Sequence, residues 1–199
     1  MPQNKSQIRA ICVCSILGAI GFILMCLEFP LPFIIPPFIK FDFSELPAII
    51  AAFSLGPVWG VIVCLIKNLL HLLFFFSNSA GVGELSNFLL GAVFTFVSGL
   101  VYKKMHTRKG ALIGVLIGAL LMAAVSIVTN YFVVYPAYVK IYGMPLNVII
   151  GMYKAILPAA DSLLKCLIIF NFPFTFIKGV IDAVICFAVY KKISPIIKG

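Results

Sequence analysis

Apolar residues run along this chain in long unbroken segments, and polar residues collect in the gaps between them. Segments near 8–27, 57–76, 84–102, 110–133 and 172–190 are each close to the roughly 20 residues a helix needs to cross about 30 Å of hydrocarbon. A sixth segment at 44–55, SELPAIIAAFSL, stops at Gly56-Pro57. At about 1.5 Å per residue it covers only roughly 18 Å, so it is predicted to reach into a bundle without spanning it. Ser44 is predicted to cap its start. The stretch 145–170 is also apolar but carries Pro145, Lys154, Pro158, Asp161 and Lys165, which make it a poor span. Between the first two helices lies EFPLPFIIPPFIKFDF, too apolar for a solvated linker and without helical periodicity. The pattern predicts an all-α integral membrane protein. It is a six-transmembrane-helix bundle in one membrane domain, residues 1–199, with a short second helix and an outer capping loop.

Composition agrees with that pattern. Of the 199 residues, 63% are hydrophobic and 11% charged, which leaves too little polar surface for a water-soluble domain. The basic N-terminal stretch MPQNKSQIRA enters its apolar segment without a small-residue cleavage site, so it is expected to start the first helix rather than a removed peptide. A net charge of +9 would suggest nucleic acid in a soluble chain. Here the bases flank apolar runs, without basic stripes or base-stacking aromatic motifs, so no nucleic-acid partner is expected. With six spans, Lys5, Arg9, Lys103, Lys104, Arg108, Lys109, Lys191, Lys192 and Lys198 share one side, and Lys40, Lys140, Lys154 and Lys165 the other. By the positive-inside rule both termini are expected in the cytoplasm. Nucleotide-motor loops, metalloprotease motifs and nucleophile elbows are missing from the sequence. Its six cysteines lie in apolar segments without zinc spacing. Neither enzyme activity nor a metal or cofactor is expected.

The last helix holds the most informative polar residues. Asn171, Thr175, Lys178 and Asp182 are spaced 4, 3 and 4 apart, one stripe on an otherwise apolar helix. A charge at a helix centre costs about 2.5–3.5 kcal/mol on the insertion scale, so something must compensate. Counting along each helix puts Asn130, Asp42, Ser44, Gly83, Glu84 and Asn87 near the level of Lys178, in the outer half of the membrane. Helix capping explains Asp42, Ser44, Glu84 and Asn87 as readily as ligand binding. Pro173 leaves Asn171 as a candidate N-cap. Capping does not explain Lys178, and its pairing with Asp182 has the weaker helical order. A buried ligand that accepts a hydrogen bond is the functional reading. Lys67, Asn68 and His71 form a second polar patch, with Lys67 expected to neutralise Asp182 or Glu28. Ala10, Cys14 and Gly18 form a small-residue row, suited to packing within the bundle or to docking another membrane subunit.

Several stretches together carry a resemblance. FIKFDFSELPAIIAAFSLGPVWGVIVCLIKNLLHLL, GVGELSNFLLG, TNYFVVYPAY, IYGMPL and PFTFIKG resemble the riboflavin-specific substrate-binding S components of energy-coupling factor (ECF) transporters. The resemblance implies a prokaryotic plasma membrane, an outer pocket beneath the first loop, and riboflavin as bound substrate. It also implies a shared module of one membrane T component and two cytoplasmic ATPases. Asn130 and Lys178 match family positions that hydrogen-bond the flavin's polar edge. Thr175 stands where the family pattern usually has asparagine, and a hydroxyl replaces an amide's two donors with one. The Ala10, Cys14, Gly18 row matches the family's small-residue docking row in altered form. Phe41, Phe43, Tyr131 and Phe172 are expected on the ring faces. An S component for another vitamin or for flavin mononucleotide, and a small membrane enzyme or channel, are the alternatives. The dry inner half of the last helix, AVICFAVY, argues against a channel.

Overall fold

A computed structural model describes residues 2–141 and 143–198, the side chains at 2–6, 76–79 and 191–198 excepted. Lys5, Lys191, Lys192 and Lys198, on which part of the expected orientation rests, have side chains outside the described ones, as does Tyr142 of the IYGMPL stretch. The chain forms helix α1 (Pro2–Cys26), a short antiparallel pair β1 (Phe29–Pro30) and β2 (Lys40–Phe41), then α2 (Leu46–Ser54), α3 (Pro57–Ser79) and α4 (Val82–Met105). Helix α5 (Arg108–Thr129) runs through a π turn (Asn130–Val134) into α6 (Tyr135–Ile141). After α7 (Leu146–Lys154), α8 (Leu163–Cys166) runs through a second π turn (Leu167–Asn171) into α9 (Phe172–Lys198).

Among the described residues, five helical stretches are long and apolar enough to cross a membrane: Gln7–Cys26, Pro57–Phe75, Val82–Met105, Arg108–Ile141 and Leu163–Tyr190. The short α2 is enclosed by the others, with Ala48, Ile49 and Ala51 wholly buried. Its 9 residues rise about 14 Å. The chain before it leaves β2 at Phe41 and turns through Ser44 and Glu45, the latter already in helical conformation. At that length α2 does not span the ~30 Å of hydrocarbon by itself. Irregular backbone at that depth is tolerable where it lines a cavity. Contrary to the expectation from sequence, Ser44 does not cap α2. Glu45 precedes the helix without a side-chain cap bond, and a proline in the first turn spares one amide that would need a partner. Gly56, at φ +116°, makes the tight turn from α2 into α3.

Two expected boundaries change. The fifth span continues to Ile141, and the last begins at Leu163 rather than Phe172. Pro136 and Pro173 each lie just beyond a π turn. A proline lacks the N–H of its turn and its ring crowds the carbonyl four residues back. The wider turn absorbs both without ending the helix. Much of 145–170 therefore belongs to neither loop nor new span. Helix α7 packs Ile149 and Tyr153 into the cap-end core, residues 155–162 form a loop, and 163–171 feeds the last helix.

The small-residue row also takes a different role. Ala10, Cys14 and Gly18 are buried. A Cβ on Gly18 would sit 2.5 Å from Ile66 Cγ2, and the Cys14 thiol faces the Trp59 carbonyl at 3.9 Å. The row seats α1 against α3, so it is not a free docking face. The exposed face of α1 is Ile8, Ile11, Ile16, Ile20 and Ile23. Two apolar cores result. One surrounds α2, with Phe94, Val115 and Cys186. The other lies at the cap end, where Ile35 packs with Tyr135, Ile149, Tyr153 and Leu167.

Gly18→Val is expected to overpack the α1–α3 contact and cost about 1–3 kcal/mol, or roughly 2–4 °C of melting temperature per kcal/mol. Ala19→Val, on the exposed face, is expected to melt with the wild type. Thermal melting in detergent checks both.

Candidate functional site

A cavity of about 460 Å³ opens at the cap end, within the roughly 300–1,000 Å³ typical of small-molecule pockets. Met25, Phe38, Leu90, Met122 and Phe174 supply apolar wall. Of the residues singled out by sequence, Asp42, Gly83, Glu84, Asn87, Asn130, Thr175 and Lys178 line it. Four separate parts of the chain bring these groups together.

Phe41, Phe43 and Tyr131 do not line the cavity, nor does Phe172. Side chains alternate along extended backbone. Asp42 faces the cavity, while Phe41 and Phe43 turn the other way and meet each other at 5.2 Å. Phe41 also packs edge-on against Phe174 at 6.0 Å. Tyr131 follows Asn130 by about 100° around the helix. It is 40% exposed, with its ring against Phe132 at 4.9 Å. The aromatic rings on the cavity lining include Phe38, Tyr135, Tyr138 and Phe174 instead.

Lys178 finds its partner 136 positions back in the sequence: Nζ donates to Asp42 Oδ2 at 2.7 Å. The Ser44 amide donates to Asp42 Oδ1 at 2.8 Å, closing a local turn. Lys178 thus has a protein acid as its counter-charge, and that acid is not Asp182. Contrary to the expectation from sequence, Lys67 pairs with neither Asp182 nor Glu28. It donates to Glu45 Oε1 at 2.7 Å and to Ser44 Oγ at 2.5 Å, while Glu28 pairs with Lys40. His71 Nδ1 lies 2.8 Å from Glu84 Oε1, with Phe75 stacked on the imidazole at 4.9 Å. Asn68 spends its amide on the Cys64 carbonyl of its own helix, at 2.8 Å.

The π turns position Asn130 and Asn171, which sequence reasoning had singled out, and the second meets two tyrosines, Tyr135 and Tyr153, that it passed over. Asn130 opens the first and Asn171 closes the second, and both line the cavity. Asn171 is no N-cap. Its Oδ1 accepts from the Tyr153 hydroxyl at 2.6 Å, and its Nδ2 donates to the Tyr135 hydroxyl at 3.4 Å. The two hydroxyls are 2.5 Å apart. This buried triad ties α6, α7 and the second π turn together beneath the cap. Glu45 was missed as well; it lines the cavity and fits only because Gly91 lacks a Cβ, which would stand 2.6 Å from Oε2. One sequence signal was present: Asn130 and Asn171 each precede, within a few residues, a proline inside a helix-length apolar run.

Lipid-length helices around a one-ended cavity, apolar in its walls and polar at converging points, define a membrane protein that holds a small molecule. The family model described as "ECF transporter, substrate-specific component" matches residues 9–190. The chain is 34% identical over 198 residues to "Riboflavin transporter RibU" of Staphylococcus aureus (strain TCH60), covering 100% of this chain and 95% of the relative. It is 32% identical over 192 residues to "Riboflavin transporter FmnP" of Bacillus subtilis (strain 168), covering 95% and 94%. A solved structure described as "Structure and mechanism of the S component of a bacterial ECF transporter" superposes with a TM-score of 0.72 at 35% identity, covering 99% of both chains. The chain belongs to the substrate-specific components of ECF transporters, and so is a transporter component rather than an enzyme.

One outcome follows from the site's own bonds. Tyr153→Phe removes one hydroxyl of the triad and is expected to cost about 1–3 kcal/mol, read as a lower melting temperature and faster proteolysis within 145–160.

Proposed function

We propose that this chain is a riboflavin-binding S component, which captures the vitamin in the cap-end cavity and hands it inward with an ATP-driven ECF module. The observation that carries the proposal is the cavity itself: it is apolar on its walls and has Asn130, Thr175 and Lys178 on its lining, in a chain matched along its whole length by riboflavin transporters. Riboflavin is a flat apolar three-ring system with one polar edge and a ribityl chain. Burying the rings against Phe174, Leu90 and Met122 gains about 25 cal/mol per Å² of apolar surface. Asn130, Thr175 and Lys178 serve the edge, where each neutral hydrogen bond is worth about 0.5–1.5 kcal/mol and one to a charged group about 1.5–3 kcal/mol. Buried donors matched to such an edge reject molecules that lack it.

In this reading the cap faces outward. Lys103, Lys104, Arg108 and Lys109, at the α4–α5 turn, stand at the opposite end in the cytoplasm with both termini. A membrane T component and two cytoplasmic ATPases supply the energy, because the chain itself has no nucleotide loop. Riboflavin is cargo, and no resident cofactor takes part.

The purified protein is expected to quench riboflavin fluorescence at near one-to-one stoichiometry without ATP, and to drive no accumulation alone in liposomes. Asn130→Leu is expected to weaken binding about three- to tenfold. Absence of flavin binding while another vitamin binds would redirect the assignment to that vitamin. Concentrative uptake by the isolated chain would overturn the S-component reading.

A further inference from the structure

Asp182 on α9 is wholly buried, and neither carboxyl oxygen has a hydrogen-bond partner among the described residues. The other buried acids are all served: Asp42 and Glu45 by lysines at 2.7 Å, and Glu84 by an imidazole at 2.8 Å. Asp182 lines no part of the cavity. A buried carboxyl left bare is costly, and in a native structure it calls for an explanation.

Lys178 supplies one. It lies four residues earlier on the same helix, the spacing at which side chains meet. In this structure its ammonium is held by Asp42, on the segment that descends from the cap. The lysine therefore stands between two acids, one carried by the cap and one a turn deeper in its own helix. We infer that Asp182 is the reserve counter-charge of Lys178, receiving its ammonium whenever the cap segment withdraws Asp42. Base-before-acid is the weaker helical order, so Asp42 holds the lysine while the cap segment is seated. Once Asp42 leaves, Asp182 prevents a buried ammonium from being stranded without a partner. Asp182 is thus a positioning residue, acting through Lys178 and touching no ligand. The element has two arrangements, distinguished by which acid accepts Nζ, and so meets the requirement for a population that a ligand or partner can shift. The pairing does not depend on which molecule fills the cavity, and its test needs none.

The test is a cycle of melting temperatures on the ligand-free protein. Asp42→Asn is expected to melt a few degrees low and Asp182→Asn within about 2 °C of wild type. The double variant is expected to fall about 10 °C further than the two shifts added together. In a Lys178→Met background the same two substitutions are expected to add without coupling. Additive shifts with the lysine present overturn the inference. Should the double variant not fold, adding Lys178→Met is expected to recover folded protein, and failure to recover it also overturns the inference. A spectroscopic arm reads the carboxyl directly. The Asp182 ¹³Cγ resonance, assigned by its loss in Asp182→Asn, is expected to move in Asp42→Asn and to stay in place in Asp42→Asn/Lys178→Met. A purely structural Asp182 would leave it unmoved in both.

Discussion

The contact between Asp42 and Lys178 decides how the first quarter of the chain meets the last. A carboxylate and an ammonium removed from water each lose several kcal/mol of hydration, and their attraction offsets that only when geometry and extra hydrogen bonds are good. Here the Ser44 amide supplies one such bond, and Lys67, bound to both Ser44 and Glu45, supplies a second basic centre. The segment 41–45 is held at depth by these charges rather than by apolar burial alone. That anchoring seats the short α2 among the long helices, and a short helix in place of a full-length one leaves volume at the cap end, which is where the cavity lies.

The cap is seated on the bundle by apolar contact. From its proline- and phenylalanine-rich sequence Ile35 and Phe38 turn inward and pack on the aromatic cluster of Tyr135, Tyr138 and Tyr153, while Phe33 stays exposed. That cluster brings hydroxyl groups into an apolar setting, where an unpaired one would be expensive. Asn171 and the paired tyrosines resolve the problem among themselves. The lid thus rests by apolar contact on a platform whose own hydroxyls are paired.

Much of this was legible in the sequence. Run length alone located the five long helices, the shortness of the second and the cap. Helical counting put Asn130, Lys178, Glu84 and Asn87 at one level, because depth follows directly from rise per residue. Pairing was not legible: Lys178 with Asp42 and Lys67 with Glu45 join distant parts of the chain, and helical spacing speaks only for neighbours. Pro136 and Pro173 misled because a proline in an apolar run reads as a boundary, whereas a π turn lets the helix continue. The aromatic expectation failed at Phe41 and Phe43, since the two-residue alternation of extended chain lets only one side of that segment face the cavity. The row Ala10, Cys14, Gly18 showed that helices approach closely there, but not which helices.

The π turns bear on how such a chain tolerates insertion and deletion. A helix ties rotation to advance, so the one extra residue of a π turn sets everything beyond it about 100° out of phase with an uninterrupted α-helix. Losing a single residue within 130–134 would return the outer stub to ordinary phase. Tyr135 and Tyr138 would swing away from the lid, and lipid-facing residues would take their places. A one-residue deletion here is therefore a change of orientation for the whole upper storey, whereas the same deletion in the loop after Ile141 would be taken up by slack. Chimeras that exchange caps between relatives must keep both wide turns with the cap, or the transplanted surface will face the wrong way.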